Sequence, residues 1–219
     1  MENASKALIM AGGILIALMV IGALILMFNQ ISAYKSNNTS SQKDIQIATF
    51  NQDFLKYFDE KQLKGTDIIS ITNKVVDYNL KENVTNYVDL EKKITLNIDL
   101  SGFANNYGVG NVSKLFNRQT LIKVTNAENS LSKAIIRYSS LEKKYSLSTM
   151  GKLKSNYASI SSGTKTIEQA TGKAMPEVTI EDIAKYIEYT ELKSAIFEPT
   201  GTPKYDDGQI VEMSFKYIK

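Results

Sequence analysis

The first pattern in the chain is a long apolar run near its N-terminus. Residues Ala7 to Phe28 place 22 positions in a row without a charged or strongly polar side chain. As an α-helix this run is about 33 Å long, against about 30 Å for the hydrocarbon core of a bilayer. The pattern predicts a transmembrane helix, and with it a lipid bilayer as a partner of this protein.

A cleaved signal peptide is the alternative interpretation of the same run. Signal peptides carry an apolar core of about 7–15 residues behind a basic segment. This run is longer, and only Glu2 and Lys6 are charged before it. The length favours an anchor, while Ile31 to Ala33 resembles a cleavage site and keeps the second interpretation open. Because the bulk of the chain follows the run, we expect a single-pass protein of the cell membrane with a cytoplasmic N-terminus and an extracytoplasmic domain.

Small residues form a stripe on the predicted transmembrane helix. At 100° per residue, these residues fall on one face, within about 60° of one another: Ala4, Ala7, Ala11 and Gly22. Such stripes let helices approach closely in lipid, which predicts helix packing and self-association of this chain. Glycine and alanine are also common in membrane spans generally. A lone anchor is therefore the alternative.

A polar segment and then an amphipathic pattern follow the apolar run. Residues Ser36 to Ser41 favour helix poorly, so they form either a linker or a weak stretch of a longer helix. After them, large apolar side chains recur at three- and four-residue steps, at Ile47, Phe50, Phe54 and Tyr57/Phe58. This spacing predicts an amphipathic helix of about 15 residues. The predicted organisation is a short tail and anchor over 1–28, a linker and amphipathic helix over 29–60, and a domain over 61–219.

Within residues 61–219, helix periods alternate with strand periods. The predicted helices cover 67–79, from a cap at Asn126 or Asn129 to about Lys144, and from the capping box Thr179–Asp182 to about Tyr189. The predicted strands cover Ile94–Leu100, Thr120–Val124, Ala195–Phe197 and Gln209–Lys216, with a turn around Tyr205-Asp206-Asp207-Gly208. The order predicts an α+β fold, in which a long N-terminal helix, transmembrane and then amphipathic, precedes a small head domain of antiparallel sheet and helices.

One segment of this domain shows little periodicity. Residues Tyr145 to Met175 are rich in serine and glycine, with a short helical pattern near Ile167 to Ala170. Because the segment lacks a clear period, we expect a long surface excursion here. Loops of this length are uncommon in compact domains and are often functional.

Composition narrows the chemistry open to this protein. The chain has no histidine, cysteine or tryptophan, which excludes disulfides, thiolate nucleophiles, cysteine-ligated zinc and a histidine general base. Its 26 basic and 23 acidic residues give a net charge of +3, and only Arg118 and Arg137 are arginines. Nucleic-acid binders cluster their cations and favour arginine, so we expect no nucleic-acid partner. The absence of cysteine is typical of the exterior of Gram-positive bacteria.

Few residue groups point to a metal or a reaction. Asp206 and Asp207, followed by Gly208, are weak candidates for calcium, and a turn explains them without a metal. Ser130 and Lys133 share a helix face, as a serine–lysine hydrolase requires, although ordinary helix surfaces carry such pairs often. Acid pairs elsewhere have adequate surface roles. We therefore expect no enzymatic activity, no cofactor and no metal.

The two ends of the chain resemble a known group of proteins. The residues that carry this resemblance are Met1 to Ala11, Gly65 to Ser70, and Phe197 through Tyr205-Asp206-Asp207-Gly208 to Phe215. They are similar to uncharacterised small N-terminally anchored envelope proteins of Gram-positive gut bacteria. The resemblance implies a place in the cell envelope.

More loosely, an apolar-then-amphipathic N-terminal helix ahead of an α+β head resembles type IV pilins and tight-adherence pilus subunits. In those families an acidic residue near the mature N-terminus pairs within the filament, and Glu2 is the nearest match here. The resemblance implies a pilin-like or cell-envelope assembly or adhesion component. The alternative is a membrane-tethered ligand-binding or sensing module that uses the 145–175 excursion or the strand edge near 94–100.

Overall fold

The computed structural model describes residues 2–81, 90–103, 115–116 and 119–219, and within them the side chains of 2–18 and 33–39 are not described. The chain divides into two compact units, Met1–Gln46 and Ile47–Lys219. The first unit lies within helix α1, which extends over Glu2–Asp59. The backbone of Ser36 to Ser41 is helical.

Among the described residues, no helix carries a stretch that is long and apolar enough to cross a membrane. The predicted span, Ala7 to Phe28, begins among side chains that the structure does not describe. The transmembrane anchor therefore stays a prediction from sequence.

The second unit is a mixed α+β domain built around one sheet. Its described strands are β1 (Leu63–Lys64), β2 (Thr95–Asp99), β3 (Leu121–Val124), β4 (Ile196–Pro199), β5 (Lys204–Asp206) and β6 (Gln209–Tyr217). Their order is β1-β4-β6-β2-β3, with β5 paired to β6. The four strands predicted from the alternating pattern are confirmed, with ends that differ by a few residues.

The central pair of this sheet is parallel. Leu96 of β2 lies beside Met213 of β6, and Ile98 lies beside Phe215, with both strands running in the same direction. The other strand pairs are antiparallel. The predicted antiparallel sheet is therefore confirmed for four of the five described strand pairs and is wrong for the central pair. Parallel neighbours need a long crossover rather than a hairpin, and here the crossover contains β3 and most of the helices.

The helices with described bounds in this domain, after α1, are α2 (Gly65–Leu80), α3 (Ser130–Tyr145), α4 (Leu147–Ser155), α5 (Tyr157–Ser161), α6 (Ile167–Thr171) and α7 (Ile180–Ser194). Asn129 caps α3 by accepting a hydrogen bond from the N–H of Ser132 at 2.9 Å. Thr179 and Asp182 form a reciprocal capping box at the start of α7, with bonds of 3.0 and 3.1 Å. Both predicted caps are confirmed, and α7 extends beyond Tyr189 to Ser194.

Residues 145–175 are helical, so the prediction of a long surface excursion is wrong. Helices α4, α5 and α6 fill most of this segment, and the short helix predicted near Ile167 is α6. Met150, Leu153 and Ile160 are buried in the core. The serines and threonines that indicated a loop partly serve as helix caps, since Ser146 and Thr166 each accept a hydrogen bond from a backbone N–H of the helix that follows.

The core lies against one face of the sheet. Alternate residues of β2, β3 and β6 are buried, including Leu96, Ile122 and Phe215. The amphipathic end of α1 joins this core, because Phe50 is fully buried and Phe54 is 3% exposed. The opposite positions on β2 and β6 are polar and half-buried, among them Asn97 and Ser214. The sheet therefore presents a polar face on the side away from the core.

Candidate functional site

The predicted helix-packing stripe lies mostly outside the described side chains. This holds for Glu2, Ala4, Ala7 and Ala11. A Cβ added at Gly22, which is described, meets no atom of the chain within 4 Å. The stripe and the pairing role of Glu2 stay predictions.

Asp206 and Asp207 lie in a tight turn, and a lysine side chain of the same domain pairs with both carboxylates. Asp206 pairs with Gln209 across the hairpin, and Asp207 and Gly208 both have positive φ, of 46° and 78°. Two central residues with positive φ are typical of a type I′ hairpin turn. The Nζ of Lys92 lies 2.7 Å from Asp206 and 2.6 Å from Asp207. Both carboxylates are therefore engaged by a lysine, and no cluster of three or more metal-ligating residues occurs in the described ranges.

Ser130 and Lys133 do not form a serine–lysine pair. The Nζ of Lys133 binds Glu128 at 2.8 Å, and the Ser130 hydroxyl donates to Gln119 at 3.3 Å. A lysine base must be close to the serine and uncharged to accept its proton. The Lys133 ammonium is instead ion-paired with Glu128. This geometry gives no activated nucleophile.

The polar face of the sheet holds the candidate site that best matches the sequence expectations. A cavity of about 310 Å³ lies over β2 and β6, which we call the sheet groove, lined by Asn97, Asp99, Leu121, Thr200, Ser214 and Phe215. Asn97 stands in register with Ser214 on β6 and with Lys123 on β3. Its Nδ2 donates to Glu212 at 3.1 Å and to Ser214 at 3.4 Å. The Asn97 amide nitrogen is thus used on neighbours within the sheet, and the surface that lines the groove is mostly apolar.

The charged side chains around the sheet groove form hydrogen bonds or ion pairs with neighbouring residues of the domain. The Ser101 hydroxyl donates to Asp99 and, together with the Ser101 N–H at 2.9 Å, holds the pKa of that carboxyl below its ordinary value. Lys216, in register with Asp99, lowers this pKa further. Lys204 binds Glu212 at 2.9 Å. Each of the two carboxylates beside the groove, Asp99 and Glu212, thus has a lysine as its neighbour.

Sequence reasoning found part of this site. The strand near 94–100 was predicted as a binding edge, and its open face, rather than its edge, lines the groove. Ser214 and Thr200 were not identified, although the polar residues at alternate positions of the last strand, Glu212 and Ser214, carried the signal. Thr200 comes from the segment between β4 and β5, and its N–H donates to the Ser214 carbonyl at 2.9 Å.

Comparisons with known proteins add no relative. No protein-family model matches this chain, and comparison with curated proteins and with solved structures finds no significant match. Function is therefore argued from the residues and contacts of this chain alone.

Proposed function

We propose that this chain is a non-enzymatic single-pass membrane protein with an extracytoplasmic domain, acting as a pilin-like or cell-envelope assembly or adhesion component. The observation that carries the proposal is that the segment following the uncharged run belongs to the domain core. Phe50 and Phe54 are buried, and their rings lie 5.1 Å apart. The Asn51 side chain donates to the Gly208 carbonyl at 2.6 Å and accepts from the Ile210 N–H at 2.9 Å.

This arrangement supports a pilin-like function because such a function needs a firm connection between the anchor and the domain. An assembly subunit that is held in a membrane by its N-terminus must pass force or position from the anchor to the domain. A segment that is held in the domain core by two phenylalanines and an asparagine can transmit force to the domain, whereas a flexible linker cannot. In the proposal, Ala4, Ala7, Ala11 and Gly22 pack one helix against another in the bilayer, and Glu2 is the partner-pairing acid.

The first experiment asks where the protein is and whether it polymerises. Cells producing the full chain are sheared, and both the released fraction and the membrane pellet are probed by immunoblot after mild detergent treatment. The proposal expects membrane association, protease sensitivity of the domain from outside the cell, and ladders or filaments in the sheared fraction. Membrane-bound monomer alone contradicts assembly, and a chain that stays in the cytosol contradicts the anchor.

The second experiment tests the small-residue stripe. Ala11→Leu and Gly22→Leu place bulk on the proposed packing face, and Ala23→Leu, about 100° around the helix from Gly22, is the matched control. Self-association in a bilayer reporter assay is expected to fall for the first two variants and to hold for the third. Equal association in all of them argues for a lone anchor.

A membrane-tethered ligand-binding module is the second candidate, and the sheet groove favours it. Its mostly apolar lining, with paired charges beside it, suits an uncharged ligand that offers apolar surface and a few hydrogen-bonding groups. Asn97→Ala and Ser214→Ala remove the groove donors, and Lys152→Ala, on the exposed surface of α4, is the control. Capture of envelope glycan or peptide fragments that persists in the groove variants removes this candidate.

A further inference from the structure

Strand β3 lies at one end of the described sheet and pairs there with β2 alone. Just beyond β2, the N–H of Leu100 donates to the Thr120 carbonyl at 2.6 Å. In an antiparallel pair, such hydrogen-bonded positions alternate with positions whose backbone groups point away from the partner strand. Leu121 and Lys123 occupy these alternate positions. Their N–H and C=O groups therefore point out of the sheet, and among the described residues none of these groups has a hydrogen-bond partner.

A cavity of about 430 Å³, which we call the edge groove, lies along this side of β3. One of its walls is β3, and the other is the start of α3, with Glu128, Asn129, Ser130 and Lys133. The Leu121 side chain is 60% exposed, so this end of the sheet is open to solvent. A strand edge beside a helix forms a slot for one further strand, since neighbouring strands lie about 4.7–4.9 Å apart.

The side chains of Leu121 and Lys123 determine which strand fits this slot. They are two positions apart, so both lie on the outer face of the sheet, where Leu121 also lines the sheet groove. Lys123 is exposed and forms no ion pair among the described residues, whereas Lys133 on the helix wall is paired with Glu128. A neighbouring strand therefore gains an ion pair from an acid beside Lys123 and apolar contact from an aliphatic side chain beside Leu121.

A second copy of β3 does not supply that acid. In antiparallel registers centred on Leu121, Ile122 or Lys123, the lysine of one copy meets Gln119, Leu121 or Lys123 of the other copy, respectively. Like charges directly opposite one another are destabilising, and a lysine on a short edge strand commonly prevents pairing of identical edges. The charge of this edge therefore favours a different, acidic partner.

We infer that the edge groove binds an extended, acidic segment of another protein by strand addition. The segment lies antiparallel to β3, and its main chain forms hydrogen bonds with Leu121 and Lys123. Its acidic residue lies beside Lys123, and its aliphatic residue, two positions later, lies beside Leu121. Antiparallel pairing is the more stable arrangement per residue, and addition to a sheet edge is a general mode of peptide recognition. This inference depends on the domain alone and is independent of the proposed anchor and self-assembly.

A phage-displayed library of random nonapeptides, selected on the full chain in mild detergent, tests the side-chain preference. Peptides with an acid two positions before an aliphatic residue are expected to be enriched. Selection on Lys123→Glu is expected to enrich lysine or arginine in place of that acid. Lys152→Glu, the same charge change on the exposed surface of α4, is expected to select like the parent chain. Absence of the pattern on the parent chain, or the same pattern on Lys123→Glu, overturns the inference.

The main-chain hydrogen bonds are tested with one selected peptide in two N-methylated forms. Methylation of its aliphatic residue removes the N–H that faces Leu121, while methylation of the preceding residue removes an N–H that faces away from β3. Binding to the full chain is measured by fluorescence anisotropy of the labelled peptide. The first form is expected to bind about tenfold more weakly than the unmodified peptide, and the second is expected to bind nearly as well. Equal losses in the two forms contradict strand addition.

Discussion

Among the glycines whose surroundings the structure describes, Gly65 leaves the least space for an added methyl group. A Cβ built there lies 1.6 Å from the carbonyl oxygen of Leu192 and 2.6 Å from its carbonyl carbon. The contacted atoms are backbone near the end of α7, so no side-chain rotation relieves the clash. The N–H of Gly65 also donates to the Ala195 carbonyl at 2.8 Å. Gly65→Ala must therefore push the start of α2 away from the end of α7.

The magnitude follows from the contacts that this movement breaks. A carbon normally stays beyond about 3.2 Å from a carbonyl oxygen, so the elements must separate by more than 1 Å. Losing the Gly65 hydrogen bond costs about 1 kcal/mol, and overpacking of the adjoining core costs about 1–3 kcal/mol more. We expect a loss of about 2–4 kcal/mol in unfolding free energy. For a domain of this size each kcal/mol shifts the melting temperature by about 2–4 °C.

The assay is urea and thermal unfolding of the full chain in mild detergent, followed by tyrosine near-ultraviolet circular dichroism. Gly151→Ala is the matched control, because Gly151 lies inside α4 and a Cβ there meets nothing within 4 Å. The same substitution should stabilise there by about 0.5–1 kcal/mol, through helix propensity. Opposite signs at the two glycines are the expected result. A neutral Gly65→Ala would refute the close approach of α2 and α7.

Three further substitutions test polar groups of the domain. Thr72 is fully buried in α2, and its Oγ1 has no hydrogen-bond partner among the described residues, so Thr72→Val should raise the unfolding free energy by about 1 kcal/mol. Asn79→Ala should lower it by about 2–4 kcal/mol, since three backbone groups lose a partner that lies within 2.8 Å. Lys144 and Tyr145 donate hydrogen bonds to Glu177 and lower its pKa to about 2. The ionised carboxylate therefore stabilises the fold above about pH 4.5, and this stabilisation is lost as the pH falls from there toward 2. Glu177→Gln should flatten that part of the stability–pH curve.

Each of these has a distinct contradicting outcome. A destabilised Thr72→Val shows that the hydroxyl has a partner. An Asn79→Ala variant as stable as Asn156→Ala, which loses two exposed hydrogen bonds, shows that the Asn79 contacts do not hold the start of β2. Equal acid sensitivity of Glu177→Gln and the parent chain between pH 4.5 and 2 shows that Glu177 does not carry the linkage.

Local periods were reliable where one face of an element is buried. The alternation over 94–100 predicted β2, and the steps from Phe50 to Phe54 predicted the amphipathic end of α1, because burial of one face imposes the period directly. Caps at Asn129 and Thr179 were readable because the cap and the group it satisfies lie only three residues apart. The prediction of a loop over 145–175 was wrong because short helices are stabilised by tertiary packing more than by helix propensity.

Contacts between distant residues were decided by the tertiary structure. Only the fold shows that Gly65 permits the close approach of α7. Asp206 and Asp207 suggested calcium, whereas Lys92, more than a hundred residues earlier, pairs with both. Ser130 and Lys133 bind Gln119 and Glu128, respectively, rather than each other. Spacing along the chain places side chains on a face without showing which neighbour arrives there.

The sequence by itself determined the period and position of most elements, the exclusion of histidine and cysteine chemistry, and the expectation of an anchor at Ala7 to Phe28. The tertiary structure decided the parallel pairing of β2 with β6, the groove over these two strands, and the packing of Tyr138 against Tyr186 and Tyr189. The division has one physical cause. Backbone periodicity records the burial of a residue's own face, while a site requires groups from remote segments whose approach is set by packing of the whole core.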